Sequence, residues 1–153
     1  MELRPVSWRD ALFLYRLATD PLVRQPSLDA SPPTILGHTR WMRRWMSLSD
    51  RVAKVLIIDG QRVGLVRAER LADGGAEIGI ALVGHARGGG RGTAAIAFAT
   101  PELAESLGVT EMFARIRHEN AASSRAFRKA GYVERDSIPD ASDGFMWLRW
   151  AYR

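Results

Sequence analysis

The sequence predicts an α/β (α+β) fold built on a mixed, mostly antiparallel sheet, and three observations predict it. Residues 52–83 alternate apolar and polar side chains with a period of two, interrupted by turn residues. The segments before and after them carry apolar residues at the three-and-four spacing of helices. The length, 153 residues, is that of one domain spanning 1–153, and 46% hydrophobic with 25% charged residues is an ordinary globular balance. That balance excludes a disordered chain and a fibrous repeat.

Glu2 to Val6 reads as a first strand. Ser7 caps a helix running to Thr19, with Ala11, Leu12, Leu14, Tyr15 and Ala18 at helical spacing, and Asp20-Pro21 stops it. Residues 27–33 are turn-rich, since Pro32-Pro33 forbids helix. A second helix is expected from Ile35 to Leu48, with Trp41, Trp45 and Leu48 on one face and Arg40, Arg43 and Arg44 around them. Val52 to Asp59 and Gln61 to Arg70 form a hairpin about Asp59-Gly60. In the second strand Val63, Leu65 and Ala68 alternate against polar neighbours. Asp73-Gly74-Gly75 turns the chain into a third strand, Ala76 to Val83, with Ile78, Ile80 and Leu82 facing one way and Glu77, Gly79 and Ala81 the other. A glycine-rich loop precedes a helix ending near Leu107, which Pro101 should kink or restart at a Thr100 cap. Glu111 to Arg117 is a strand. Asn120 to Ala130 is a helix closed by Gly131, and Tyr132 to Asp136 and Gly144 to Tyr152 are terminal strands.

The composition narrows function. With no cysteine, disulfides, thiolate metal sites and cysteine nucleophiles are excluded. No apolar run approaches the roughly 18 residues of a membrane span, and charges at Glu2, Arg4, Arg9 and Asp10 argue against a leader, so a cytoplasmic location is expected. The net charge is +5 (22 − 17), and nearly all the cations are arginine, which suits planar recognition of phosphate and carboxylate.

Arg87-Gly88-Gly89-Gly90-Arg91-Gly92 is the most informative stretch. Glycines permit positive φ and close approach of backbone amides, and the helix N-terminus behind them favours an anion. No Gly-Lys-Ser/Thr follows, which rules out a P-loop. Gly90, Gly92 and Ala95 permit a dinucleotide-binding fingerprint, but Glu111 stands at the start of its strand rather than at the end. A single run framed by regular structure differs from an RNA-binding RGG segment. A plain Gly-rich turn is the remaining alternative.

This loop, after a third meander strand and before a long helix, resembles the Arg/Gln-x-x-Gly-x-Gly/Ala loop of GNAT superfamily N-acetyltransferases. Asn120-Ala121-Ala122-Ser123 through Lys129-Ala130-Gly131-Tyr132 is similar to the Asn-x-x-Ser…Lys-x-Gly-Phe/Tyr helix of the same family. The likeness spans Val52 to Tyr132. It implies a central sheet with helices on both faces and acetyl-CoA as co-substrate, with no metal. It assigns the pantetheine arm to the backbone of Leu82 and Val83. The pyrophosphate goes to the amides of Arg87, Gly88, Gly89, Gly90, Arg91, Gly92 and Thr93, and further coenzyme contacts to Asn120, Ser123 and Phe127. Asn120 and Ser123 also read as ordinary helix-start residues. Where the family often has a tyrosine acid, this sequence has Phe127.

Acetyl transfer to an amine needs a base, because an ammonium is not a nucleophile. Glu77, on the strand entering the loop, is the first candidate and His118 the second. The first third of the chain is similar to GNAT enzymes acting on nucleotide-linked amino sugars, and to relatives acting on protein N-termini or antibiotics. From it, Arg24, Ser27, His38 and Trp41 are the expected acceptor contacts: Arg24 for a diphosphate, Trp41 for stacking. Trp41 and Trp45 also read as core. A small-molecule amine is therefore the expected partner, with neither nucleic acid nor membrane. The rival is a non-catalytic binder of anionic surfaces through the Trp/Arg helix. The apolar C-terminal strand either closes the sheet or pairs a homodimer.

Overall fold

Seven strands form one sheet: β1 (Glu2–Pro5), β2 (Arg51–Ile58), β3 (Gln61–Arg70), β4 (Ala76–Leu82), β5 (Glu111–Arg117), β6 (Val133–Glu134) and β7 (Phe145–Ala151). Their order is β1-β2-β3-β4-β5-β7-β6. Five helices accompany them: α1 (Ala11–Thr19), α2 (Pro21–Arg24), α3 (Ile35–Ser47), α4 (Arg91–Leu107) and α5 (Ala121–Lys129). The structure, a computed structural model, describes residues 1–25, 31–72, 74–135 and 144–151. Asp73, Asp136 and Tyr152, assigned above to a turn and to strand ends, lie outside the described residues. Neighbouring strands pair antiparallel except β4 and β5, which the α4 crossover makes parallel. Pro5, with no N–H to donate, sits on the edge strand β1.

Helices cover both faces. On one, α4 and α5 bury Ile96, Ala99, Leu103 and Phe127 against Val66, Ile78, Met112 and Leu148. On the other, α1 and α3 bury Leu14, Met42 and Trp45 against Ala53 and Val55. The alanines Ala95, Ala99 and Ala104, all fully buried, let α4 lie close to the sheet.

Four local expectations change. The hairpin carries a β-bulge between Leu56 and Ile57, where Val63 is the extra residue of β3. The bulge shifts the alternation, so Val63 joins Leu56 and Ala95 under α4 while Leu65 packs toward α1 and α3. On α3 the fully buried residue is Met42, and Leu48, its C-cap, is exposed. Helix α4 runs through Pro101 as one element, and Thr100 is inside it with its hydroxyl donating to Ile96 O at 2.7 Å. Strand β7 is flanked by β5 and by β6, which faces Leu148 and Arg149, so its middle closes the sheet and is not open to a second subunit.

Of the two helix ends with strong chemistry, one forms as expected and one shifts. Gly131, at φ 97°, ends α5, with Gly131 N–H donating to Arg128 O and Tyr132 N–H to Phe127 O, each at 3.1 Å. This return seats the Tyr132 ring edge-on to Phe127 at 4.9 Å. At the other end of the chain, Ser7 opens a 3₁₀ turn, Trp8–Asp10, rather than α1 itself. The fully buried Asp10 carboxylate accepts from Ser7 N–H at 2.9 Å, Ser7 Oγ at 3.0 Å and both nitrogens of the Arg4 fork at 2.7 and 3.1 Å. Those bonds tighten the turn and tie β1 to α1.

Burial pushes the Asp10 carboxyl up, but the bonds from Arg4 and Ser7 outweigh it and hold it at about 2, against an ordinary 3.8. A lowered folded value gives stability that is present above the unfolded pKa and lost as pH falls toward the folded one. Asp10 therefore contributes about 2 kcal/mol above pH 4, lost between about pH 4 and 2. Urea unfolding at pH 7 and pH 3 checks this: Asp10→Asn should cost about 2 kcal/mol at pH 7 and about half that at pH 3. Equal losses at both values would contradict it.

Candidate active site

Strands β4 and β5 stay in register for two residue pairs, Ala76 with Met112 and Glu77 with Phe113. Beyond them no further pair joins the two strands among the described residues, and a cleft opens. Val83 N–H donates to Val63 O at 2.9 Å, which puts Leu82, opposite Gly64, at a non-hydrogen-bonded position of the β3–β4 ladder. By strand alternation the main-chain groups of Ile80 and Leu82 then turn away from β3, into the cleft. Leu82 is thus placed as expected, but Val83 spends its N–H on β3 and its carbonyl accepts from Ala86 N–H at 3.0 Å. Ile80 takes the place that the sequence reading gave to Val83.

The glycine loop closes one end of the cleft. Gly88, Gly89 and Gly90 have φ of 83°, 55° and 78°, three consecutive left-handed residues that only glycine adopts without strain. Arg87 N–H and Arg91 N–H are spent on Gly84 O and Gly88 O, and the first helical bond is from Ala94 N–H to Gly90 O. The amides of Gly88, Gly89, Gly90, Gly92 and Thr93 have no backbone acceptor among the described residues. Five donors at the head of a 17-residue helix make an anion cradle. The two arginine side chains brace it: Arg87 Nε donates to Leu82 O at 3.0 Å and Nη1 to Leu22 O at 2.9 Å, and Arg91 Nη1 to His85 O at 3.3 Å.

Glu77 sits where the strands part. It lies directly opposite Glu69 on β3, a like-charged pair that costs stability unless cations intervene. They do. Arg51 pairs Glu69 at 2.6 Å, and Arg115 Nε stands 3.7 Å from Glu77 Oε1. That buried Nε makes no hydrogen bond, and its guanidinium lies over Phe145 and Trp147. Burial raises the Glu77 pKa, and Arg115 and Arg67 only partly oppose it. Burial lowers that of Arg67, which the two carboxylates counteract. Arg67 lies over the Trp45 ring at 5.2 Å, and Arg51 over the same ring at 5.3 Å. A Cβ at Gly79 would come within 3.2 Å of Arg67 Nε, so the glycine makes room for this guanidinium.

Two adjoining depressions meet at Trp45, Arg67 and Glu69. The lower, about 360 Å³, reaches Glu77, Gly79 and Arg115. The upper, about 410 Å³, is walled by α3 through Gly37, Arg40, Trp41 and Arg44. Trp41 therefore lines the groove, half-buried and packed on Trp45 at 5.6 Å. Trp45 is buried against the sheet, while Trp41 stays half-buried beside the exposed Arg40 and Arg44. Arg24, at the end of α2, donates to Ser31 O and is close enough to influence Arg67.

Other expected residues lie elsewhere. His38 is buried away from the groove, its Nε2 3.2 Å from Ala11 O and its ring against Tyr15 and Trp41. His118 is exposed beyond β5, five residues past Phe113 and so about 16 Å along the strand from Glu77. Phe127 is core, and Asn120 is an N-cap whose side chain accepts from Ser123 N–H at 3.1 Å. Ser27 lies outside the described residues. The sequence reading missed Arg67, Glu69 and Arg115. Their signal was charge in phase with Glu77 on adjoining strands. Among the described residues no cluster of three metal-ligating side chains occurs, and no helix is long and apolar enough to cross a membrane.

The family described as "Acetyltransferase (GNAT) domain" matches residues 1–133. No curated protein matches the chain. Among solved structures, it is similar to the spermidine N-acetyltransferase from Vibrio cholerae in complex with CoA and spermine, at 15% identity and a TM-score of 0.83, covering 98% of this chain and 94% of that one. It is similar to aminoglycoside acetyltransferase AAC(6')-Ib in complex with coenzyme A at 15% identity and a TM-score of 0.81, covering 97% and 93%. Ribosomal-protein-alanine N-acetyltransferase from Brucella melitensis matches at 19% identity and 0.77, covering 99% of each chain. These likenesses carry the fold, and the family match carries the chemistry: the chain belongs to the GNAT acetyltransferases, acyltransferases that use acetyl-CoA.

Proposed function

We propose that the chain transfers acetyl directly from acetyl-CoA to a primary amine of a small molecule, with Glu77 as the base. The observation that carries this reading is the splay of β4 from β5, with free amides at one end and a half-buried carboxylate at the other. The cradle fits the coenzyme: five unpaired amides at a helix N-terminus suit a diphosphate. Bound there, acetyl-CoA supplies a thioester acyl group and a thiol leaving group.

The protein's own residues do the rest. The main chain of Ile80 and Leu82 holds an extended arm as an added strand would. An N–H of that strand is aimed where carbonyl oxygen charge develops. Glu77, with its pKa raised, takes the proton of the incoming ammonium. Arg115 keeps Glu77 from rising further. Phe127 offers no proton, and the Tyr132 hydroxyl is turned to Thr100 Oγ1 at 2.9 Å, buried on the far side of the fold's core. A proton for the leaving sulfur comes from Ser123, Ser124 or solvent. A nucleotide-linked amino sugar is the acceptor that the sequence suggests first.

Glu77→Gln should lower kcat about 10²–10⁴-fold while the affinity for acetyl-CoA is kept. It should not lower Tm at neutral pH. A carboxyl raised in the fold gives stability that is complete below its unfolded pKa and declines as pH rises, and Gln has no such decline. Full activity in this variant would remove Glu77 as the base. With the same signs, kcat/KM should rise with pH through an ionisation above the ordinary 4.5 of a glutamate, and Arg115→Gln should move it higher still. A profile unmoved by Arg115→Gln would break that link.

Acetyl-CoA at 100 times its Kd should stabilise the wild type by about 2.7 kcal/mol in thermal unfolding. Gly89→Val, which strains the cradle, should weaken that affinity about tenfold or more. No stabilisation of the wild type by acetyl-CoA would overturn the coenzyme assignment.

A further inference from the structure

The groove above Glu77 is cationic beyond what its own carboxylates require. Glu69 is met by Arg51 and Glu77 by Arg115, with Arg67 between the two acids. Arg40 and Arg44 remain. They lie one turn apart on α3, both exposed and both on the groove wall, and neither forms an ion pair among the described residues. Two parallel guanidiniums at i and i+4 repel, at a cost of a few tenths of a kcal/mol on an isolated helix. Among the described residues only Asp50, already paired with Arg51, is near enough to Arg44 to ease that cost, and an anion seated between the two arginines would offset it further.

The spacing of this seat from the base follows from the sheet. Arg51, Glu69 and Glu77 stand abreast on β2, β3 and β4. Two strand spacings separate the first from the last, about 10 Å. Helix α3 packs Trp45 over Ala53 and Val55 of β2, so Arg40 and Arg44 flank the Arg51 end, with the Trp41 and Trp45 rings as an apolar wall along the way. An acceptor with several ammonium groups, such as spermine or an aminoglycoside, would set cation against guanidinium along this wall.

We propose that the acceptor is a primary amine carrying a carboxylate or phosphate about 10 Å from its nitrogen, with the amine at Glu77 and the anion held by Arg40 and Arg44. The proposal rests on the amine-acetyltransferase reading of the same site.

A series of primary amines on the same six-methylene chain, differing only in the tail, tests it: 6-aminohexyl phosphate, 7-aminoheptanoate, heptylamine and 1,6-diaminohexane. Acetyl transfer should favour the two anionic members over the diamine by about tenfold or more in kcat/KM, in 20 mM salt, with the margin shrinking at 500 mM. The order of phosphate and carboxylate identifies which anion fits. In Arg40→Ala/Arg44→Ala the margin should fall to within about threefold, with Tm unchanged because both side chains are exposed and unpaired. The same four compounds are titrated onto the desulfo-CoA complex by calorimetry, so the order is read even where turnover is slow. A diamine bound or acetylated as well as the anionic amines overturns the proposal, as does a margin that survives in the double variant. Absence of acetyl-CoA binding is a separate result, which defeats the acetyltransferase reading itself.

Discussion

The parting of β4 from β5 after two residue pairs is the constraint on which the site depends. A sheet that continued in register would consume the main-chain groups of Ile80 and Leu82 and leave no opening. What keeps the strands apart is packing on one face. The α4 helix leaves the end of β4 through a loop that only glycines can trace, and α5 follows β5, so both helices lie over the widening gap. Ile96, Ala99 and Phe127 fill that space with apolar volume. The opposite face of β4 and β5 is left to charged residues, Glu77 and Arg115 among them.

That face explains an arrangement which stability alone would not select. Two carboxylates stand side by side on adjoining strands, with the half-buried Arg67 beside them both. Buried ionic groups of this kind rarely add to stability compared with an apolar core. Here the Trp45 ring packs against two of the guanidiniums and holds them in place. The cost falls on folding and the result is a glutamate with a raised proton affinity.

Much of the fold was legible because its signals are local. Gln61–Arg70 and Glu111–Arg117 have the bounds that alternation predicts, and Gly131 ends α5 where glycine at that offset must. The bulge at Val63 was not legible, since it depends on how β2 and β3 pair and leaves no local mark. Met42 and Leu48 exchanged roles for a related reason: the helix ends one residue earlier, and its inward face is set by the sheet below. At the site, the glycine loop was readable from its composition. The roles of Arg67 and Arg115 were not, because a charged residue in a strand reads as a solvated face until its neighbours are known. His38 shows the converse, a polar residue near the site by sequence whose ring is spent on Ala11 O.

The Arg87 side chain spans two parts of the molecule that chemistry would treat separately. Its guanidinium grips the carbonyl of Leu82, at the end of the coenzyme-side strand, and that of Leu22, on the short helix preceding the acceptor-side segment. One planar group therefore joins the end of β4 to α2, the two places proposed to face coenzyme and acceptor. If filling one half shifts that plane, the other half feels it. Thermodynamic reciprocity then requires the coenzyme and the acceptor to alter each other's affinity by the same factor, whichever arrives first. Any such coupling would run through a single arginine in a turn.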